Sequence, residues 1–244
     1  MAALRDVARG VIGLGAPVTC AGCGRPGEAV CEDCQGLLVG VPRVHRPTPA
    51  PAPWPPTYVV TQYSGAAQAI ITAWKERGRR DTAGHLAAAL ACAIHAAVES
   101  GRGGWANPPG RRGGDSIAIV PIPPSAAARR RRGEDAWGRV VRMAARLLVD
   151  NGTSATVEPV LSHVRQPRDQ SSLSARERRA NLNGAMVCAR IPPGTIILAD
   201  DIVTTGATLA EACRALAVMI DGRGLGPRGG PRAAAIAATT RGRR

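Results

Sequence analysis

The chain contains no phenylalanine and few aromatic residues of any kind, with two tyrosines and four tryptophans in 244 residues. Alanine, valine, leucine and isoleucine must therefore fill the interior. Scarce aromatic rings also argue against a platform that stacks successive bases of single-stranded nucleic acid. A chain of this length suits one medium-sized domain with a small appendage.

The chain also lacks an apolar run long enough to cross a membrane. The longest run, 86–98, is rich in alanine, is broken by His95 and is shorter than the roughly 20 residues that a spanning helix needs. Two arginines and an aspartate interrupt the apolar amino terminus, which is unlike a signal peptide. Residues 3–14 instead favour a short amphipathic helix. We therefore expect no membrane insertion and a cytoplasmic location.

Lysine is almost absent, because Lys75 is the only one, and arginine supplies nearly all of the net charge of +14. A strongly basic balance favours polyanionic partners, either small phosphate compounds or nucleic acid. The alternative is a solvated, arginine-biased surface, because runs of like charge usually face solvent. Composition leaves both interpretations open.

The segment 196–209 places an apolar run, two carboxylates, a hydroxyl-rich loop and a helical pattern in that order. Residues 196–199 are typical of a buried parallel strand, and Asp200 and Asp201 follow directly. This order predicts a sugar and a phosphate at the carboxyl edge of a parallel sheet. The predicted phosphate loop comprises Thr204, Thr205, Gly206, Ala207 and Thr208.

Each residue type in this segment has its own chemical use. Free N–H groups and the positive dipole end at a helix start bind an anion, Gly206 lets the backbone close tightly, and threonine hydroxyls donate hydrogen bonds. Adjacent carboxylates suit ribose hydroxyls or a magnesium ion. The alternative is an acidic strand end followed by a helix that Thr204 or Thr205 caps. The complete order favours the sugar-phosphate site.

Four cysteines form two C-x-x-C pairs that are close in the sequence. Two such knuckles predict a tetrahedral zinc site, which is structural because four thiolates leave no open coordination position. Free or disulfide-linked cysteines are the alternative, but a reducing cytosol disfavours disulfides. We expect chelation to unfold residues 17–40 and to spare the rest. The predicted zinc ligands are Cys20, Cys23, Cys31 and Cys34.

Turn and periodicity signals divide the chain into four segments. These are an N-terminal helix and zinc ribbon (1–42), a stiff, extended, proline-rich linker (43–56), a hood or helical segment (57–114) and a core (115–244). The predicted strands are 58–63, 117–121, 157–164, 185–189, 195–199 and 233–239, and the predicted helices are 64–73, 82–98, 136–149 and 206–220. This alternation predicts an α/β fold with a mostly parallel sheet flanked by helices.

Two arginine-rich segments are candidates for binding a pyrophosphate group, because arginine pairs with phosphate bidentately. One follows the predicted strand 117–121, and the other, 165–183, is typical of a lid over a polyanionic substrate. The alternatives are a solvated basic loop and a disordered surface loop. The candidate contacts in these segments are Arg129, Arg130, Arg131, Arg132 and Arg178.

The sequence ADDIVTTGATL resembles the phosphoribosyl pyrophosphate (PRPP) signature of type I phosphoribosyltransferases. The two cysteine pairs, WKERGR, VPIPPS, RRRRG, RQPRDQSSLSARERRANLNGA and that signature follow one another in the chain. This is the order seen in the ComF family of competence-associated, phosphoribosyltransferase-like proteins. The resemblance covers nearly the whole chain, from Cys20 to the last predicted strand.

The resemblance implies a type I phosphoribosyltransferase-like sheet and a set of roles. It implies that Asp200 and Asp201 hold the ribose hydroxyls, that residues 204–208 hold the 5-phosphate, and that magnesium accompanies PRPP. Lys75 is a further candidate phosphate contact, from the hood.

Two functions are compatible with this resemblance. One is an enzyme that transfers phosphoribose from Mg-PRPP to an unknown acceptor, associated with DNA uptake in natural competence and with a helicase-like partner. The other is a non-catalytic competence factor that senses PRPP or a nucleotide and binds single-stranded DNA, since a fold and a pocket do not establish turnover.

Overall fold

A computed structural model describes residues 18–102, 116–124, 135–164, 184–221 and 230–239. The helices are α1 (Glu32–Leu38), α2 (Gly65–Glu76), α3 (Ala83–Arg102), α4 (Ala136–Asp150) and α5 (Ala207–Asp221), with a short 3-10 turn at Arg80–Thr82. The strands are β1 (Arg43–His45), β2 (Thr57–Gln62), β3 (Ile117–Pro121), β4 (Ala155–Val157), β5 (Leu161–His163), β6 (Met186–Cys188), β7 (Thr195–Val203) and β8 (Arg232–Ala238).

Six strands form one sheet in the order β1-β2-β8-β7-β3-β4. Neighbours are parallel except for β1, which runs antiparallel to β2 at one edge. The central strands β3, β7 and β8 are buried along most of their length, as a sheet covered on both faces requires. The predicted α/β class, with a mostly parallel sheet flanked by helices, is confirmed.

The two faces of the sheet carry separate hydrophobic clusters. One cluster joins the sheet to α1, α2, α3 and α4 and contains Trp74 and Trp137, whose rings meet edge to face with centroids 6.1 Å apart. The other joins the sheet to α5 and to a two-stranded antiparallel ribbon of β5 and β6. Alanine occupies most of β8, so the alanine-rich helix α3 packs closely on the sheet. Small residues thus fill an interior that contains no phenylalanine.

Two of the predicted strands differ from the structure by more than one residue at a boundary. β7 continues to Val203 and pairs with β8 as far as Ala238, so Asp200 and Asp201 lie inside the strand and not beyond its end. The single strand predicted for 157–164 is two strands, β4 in the main sheet and β5 in the ribbon. Pro159 lies between them and has no N–H group with which to continue a ladder.

The proline-rich segment 43–56 contributes to the fold beyond its predicted role as a spacer. Its first three residues form the edge strand β1. The remainder, 46–56, is called the strap here; its residues Pro47, Pro51 and Pro55 are buried and Trp54 is partly buried. The Thr57 hydroxyl donates to the Pro55 carbonyl at 2.8 Å. The strap is therefore held to the sheet at both of its ends.

The cysteine-bearing module packs into the core of the domain. Helix α1 contacts α2, α3 and β2, and Cys34 and Leu38 belong to the same buried cluster as Trp74. The Thr61 hydroxyl on β2 donates to the Leu37 carbonyl at 3.0 Å. The module is therefore part of the hydrophobic core on this face of the sheet.

Within the described ranges, one helical stretch, Arg80–Ser100, is long and apolar enough to cross a membrane by length and composition, with a mean hydropathy of 1.2. Most of this stretch belongs to α3, which packs against α4, and 56% of its most apolar 18-residue part is buried inside the protein. The apolar character of this helix is thus accounted for by its place in the core.

Candidate functional site

The acidic pair lies towards the carboxyl end of β7, in the middle of the sheet. Both neighbours of β7 are parallel to it, so the carboxyl ends of β3, β7 and β8 meet at one edge. Ligands of open α/β sheets bind outside this edge. The predicted sugar-phosphate residues therefore occupy the position that the topology favours for a ligand.

Lys75 reaches this edge from the last turn of α2. Its Nζ atom lies 2.8 Å from Oδ1 of Asp201, and the two side chains are only 25% and 17% exposed. The backbone N–H of Asp201 donates to Oδ1 of Asp200 at 2.9 Å. The structure thus brings the predicted hood lysine and the predicted acidic pair together, although they are distant in the sequence.

The two carboxylates differ in their electrostatic surroundings. Burial raises the pKa of Asp200 to about 7, and the negative charge of Asp201 acts in the same direction, while Lys75 and the Asp201 N–H oppose it. Near neutral pH, Asp200 therefore carries a proton part of the time. A divalent cation would favour the ionised pair, because it would replace that proton as the compensating charge.

We expect Asp200→Asn to flatten the pH dependence of stability between about pH 4 and pH 7. The pKa of Asp200 is raised from 3.8 to about 7 in the folded protein. In this window the folded state binds more protons than the unfolded chain, so stability falls as pH rises, by at most about 4 kcal/mol. Urea unfolding at pH 4 and pH 7 measures this loss. The exposed Asp150→Asn is the control, and an equal loss in both variants would contradict the assignment.

The predicted phosphate loop turns the chain from β7 into α5. Thr204 is exposed, and Thr205 and Thr208 are partly exposed. Oγ1 of Thr205 accepts from the Ala207 N–H at 3.5 Å, which is the capping contact that the alternative interpretation predicts. The Gly206 carbonyl accepts the first helical hydrogen bond, from Ala210 N–H at 3.0 Å. Helix α5 therefore begins shortly after the acidic pair in the chain, and the early N–H groups of a helix lack helical partners.

Gly206 is required by its conformation and by a neighbour that sequence analysis did not identify. Its φ angle is 75°, in the left-handed region that favours glycine. A Cβ atom at this position would lie only 2.3 Å from Cζ3 of Trp54. The only signal for Trp54 in the sequence is a single aromatic residue within a proline-rich stretch, which does not indicate where its ring packs.

A second contact that sequence analysis missed holds the β5-β6 ribbon against α5. Glu211 is 5% exposed and accepts from Met186 N–H at 2.9 Å and from Arg214 at 2.7 and 2.8 Å. Arg214 also donates to the Met186 carbonyl at 2.8 Å. Burial works to raise the pKa of Glu211, but Arg214 and the backbone N–H groups outweigh it and hold the pKa below its usual value. The helix that opens with the phosphate loop thus also fixes the ribbon.

Glu211→Ala should lower the free energy of unfolding by about 3 kcal/mol, because it leaves Arg214 and the Met186 N–H without their buried acceptor. The matched control is Asp33→Ala, which breaks an ion pair to Arg25 between two exposed side chains. That change should cost much less, because exposed ion pairs contribute little to stability. Urea unfolding at pH 7 compares the two variants, and equal losses would show that the buried pair has no special role.

The four predicted zinc ligands come together near the amino end of the described chain. Their Sγ atoms all lie within 4.8 Å of one another, and those of Cys23 and Cys31 are 3.6 Å apart. Thiolates bound to one tetrahedral zinc ion are about 3.8 Å apart. Residue 22 must be glycine, because a Cβ atom there would lie 2.8 Å from Sγ of Cys34. The cluster can therefore hold a metal ion such as zinc.

Backbone N–H groups prepare this cluster for a cation. Cys20 Sγ accepts from Gly22 N–H at 3.4 Å and from Cys31 N–H at 3.3 Å. Burial alone would raise the pKa of Cys20, but these backbone hydrogen bonds outweigh it and lower the pKa to about 6. Burial and the neighbouring sulfurs raise the pKa of Cys34. A bound metal ion would offset the cost of gathering several thiolates.

The remaining predicted site residues, Arg129 to Arg132 and Arg178, lie outside the described residues, as do the predicted lid 165–183 and the predicted helix 3–14. The described residues that precede 125–134 and 165–183 lie close together. Nε2 of His163, at the end of β5, is 3.1 Å from the carbonyl of Pro123, just beyond β3. β3 ends at the same edge of the sheet as the acidic pair.

Comparisons with known proteins provide no assignment, because no protein-family model matches the chain and no curated protein matches it. The functional interpretation therefore depends on the sequence motifs and on the geometry of these side chains. A fold alone does not establish a function. The class of ligand must therefore be inferred from the chemistry of the side chains at the site.

Proposed function

We propose that this protein is a cytoplasmic, ComF-like protein of the phosphoribosyltransferase type, which binds Mg-PRPP or a related sugar phosphate at the carboxyl edge of β7. The observation that supports this best is the meeting of Asp201 and Lys75 beside the threonine loop. Opposite charges and accessible hydroxyls at one sheet edge suit a ligand that has both a diol and phosphate groups. The type I phosphoribosyltransferase-like sheet and a structural zinc ion in the cysteine cluster belong to the same proposal.

A ligand would replace the Lys75–Asp201 ion pair, whose atoms are 2.8 Å apart, with its own contacts to each side chain. The three N–H donors of Lys75 suit a phosphate group. The Asp201 carboxylate suits ribose hydroxyls or a magnesium ion. A sugar phosphate offers both kinds of partner at once, so binding would replace each charge's contact without leaving either unpaired.

In the transfer reaction, the bond between the ribose C1 atom and pyrophosphate breaks and a bond to the acceptor forms. Positive charge develops on the ribose, where Asp200 and Asp201 would stabilise it, and negative charge develops on the leaving pyrophosphate. Magnesium neutralises part of the pyrophosphate charge when it is bound. Lys75 and the four consecutive arginines at 129–132 are our candidates for the rest.

The test is pyrophosphate release from Mg-PRPP in the presence of a panel of nucleobases, with calorimetry to measure binding. Acceptor-dependent release that Asp201→Asn abolishes would support the enzyme. Tight binding without release would support the non-catalytic sensor instead. If Mg-PRPP, ribose 5-phosphate and inorganic phosphate all fail to bind, the proposal is wrong.

A specific observation favours single-stranded DNA as an additional partner in DNA uptake. Arg139, Arg142 and Arg146 are exposed and lie at helical spacing along α4, and Arg142 also forms a 3.5 Å ion pair with the exposed Asp135. Together the three arginines form a basic stripe that can follow a phosphate backbone. The alternative is a solvated helix face. Oligonucleotide affinity should fall steeply with salt and weaken when all three are replaced by glutamine. A flat salt response would exclude phosphate contacts.

A further inference from the structure

The strap 46–56 lies directly against the loop that opens α5. From the position that a Cβ atom would take at Gly206, Cζ3 and Cη2 of Trp54 are 2.3 and 2.9 Å away, and Cγ of Pro47 is 3.0 Å away. Trp54 also packs against the hydrophobic cluster that contains Val203 and Leu209, which flank the loop. The indole ring therefore fills the space on one side of Gly206.

The strap is held firmly enough to act as a support. At its start, β1 pairs with β2 through Arg43, Val44 and His45. At its end, the Pro56 carbonyl accepts from Ala233 N–H at 2.9 Å, on the central strand β8. Both ends of the segment that carries Trp54 are therefore bonded to the sheet.

We propose that Trp54 is a positioning residue for the phosphate loop: its ring holds Gly206 in the left-handed conformation and so sets the direction of the first N–H groups of α5. Glycine has more conformational freedom than any other residue, so an unsupported loop would have to become ordered when an anion binds. A loop that is already ordered avoids that entropic cost and binds more tightly. This inference rests on the proposed phosphate role of the loop.

The test compares Trp54→Ala with the conservative Trp54→Phe. Without ligand, amide hydrogen exchange at residues 204–208 should be about tenfold faster in Trp54→Ala and less accelerated in Trp54→Phe, because a phenyl ring fills part of the space but does not reach the positions of Cζ3 and Cη2. Calorimetry should show about tenfold weaker Mg-PRPP binding for Trp54→Ala and a smaller loss for Trp54→Phe. Ile236→Ala is the control: this side chain is buried on the opposite face of the sheet, so its loss should lower global stability and spare loop exchange.

Unchanged loop exchange in Trp54→Ala, or an equal acceleration in Ile236→Ala, would overturn the inference. If Trp54→Ala does not fold, Trp54→Leu takes its place in both measurements. Faster loop exchange in Trp54→Ala would support the positioning role even if the wild type bound none of Mg-PRPP, ribose 5-phosphate and inorganic phosphate, an outcome that would refute the proposed function. Mg-PRPP binding that is equally tight in wild type and Trp54→Ala would support the proposed function and refute the positioning role.

Discussion

Cys34→Ser should lower the free energy of unfolding of the whole described domain by about 4 kcal/mol or more, and it should also abolish metal binding by the four-cysteine cluster. Metal binding to such a cluster contributes directly to folding, and Cys34 lies in the buried cluster that contains Leu38 and Trp74. Urea unfolding followed by tryptophan fluorescence measures the loss, because both Trp74 and Trp137 belong to this cluster. Elemental analysis measures the metal.

The control for this prediction is Cys213→Ser. Cys213 is buried on the opposite face of the sheet, outside the four-cysteine cluster, and burial raises its pKa to about 12. Its replacement buries a hydroxyl and should cost only about 1–3 kcal/mol without changing the metal content. The prediction fails if Cys34→Ser keeps wild-type stability, or if hydrogen exchange increases only in residues 18–40 and not in α2 and α3.

The position of the cysteine cluster shows where sequence reasoning stops. The C-x-x-C pairs predict correctly which four sulfurs meet, because knuckle geometry is local. The same reasoning predicts that chelation would unfold residues 17–40 and leave the rest of the chain folded. The sequence does not show which surface an apolar residue such as Leu38 packs on, and in the structure Leu38 lies in the main core. That shared core is why we now expect the effect of metal loss to spread.

Strands that are bounded by clear local signals were predicted well. β3 has the predicted limits, because a short apolar run ends in prolines. The end of β7 was placed too early, because two carboxylates look like the exit from a buried strand. In the structure, the backbone of Asp200 and Ile202 continues to pair with β8. Backbone pairing does not depend on side-chain polarity, so the two carboxylates do not end the strand.

Contacts between distant parts of the chain account for what the sequence did not reveal about the site. The motif around Asp201 is contiguous, so its residues were identified together. Trp54 and Glu211 affect the same loop and helix through packing and hydrogen bonds to other elements. Lys75 was a candidate from the hood, but its ion pair with Asp201 depends on how α2 packs across the sheet. Tertiary contacts of this kind have no periodicity to detect.

Asp201→Asn should weaken Mg-PRPP binding by about a hundredfold, which is the value of a lost charge-assisted contact in a partly buried site. The change also removes the partner of Lys75 and one of the charges that raise the pKa of Asp200. Asp200 should therefore ionise at lower pH and take over part of the compensation for Lys75, so the fold should survive the substitution.

Calorimetry at several magnesium concentrations separates this loss from a general effect of charge. Glu76→Gln makes the same change in charge on the exposed residue next to Lys75, and it should leave affinity within about twofold because exposed charges are screened. Lys75→Met should weaken phosphate binding without abolishing magnesium dependence, since it leaves both carboxylates in place. If Asp201→Asn binds Mg-PRPP as tightly as Glu76→Gln does, Asp201 does not hold the ribose or its magnesium ion.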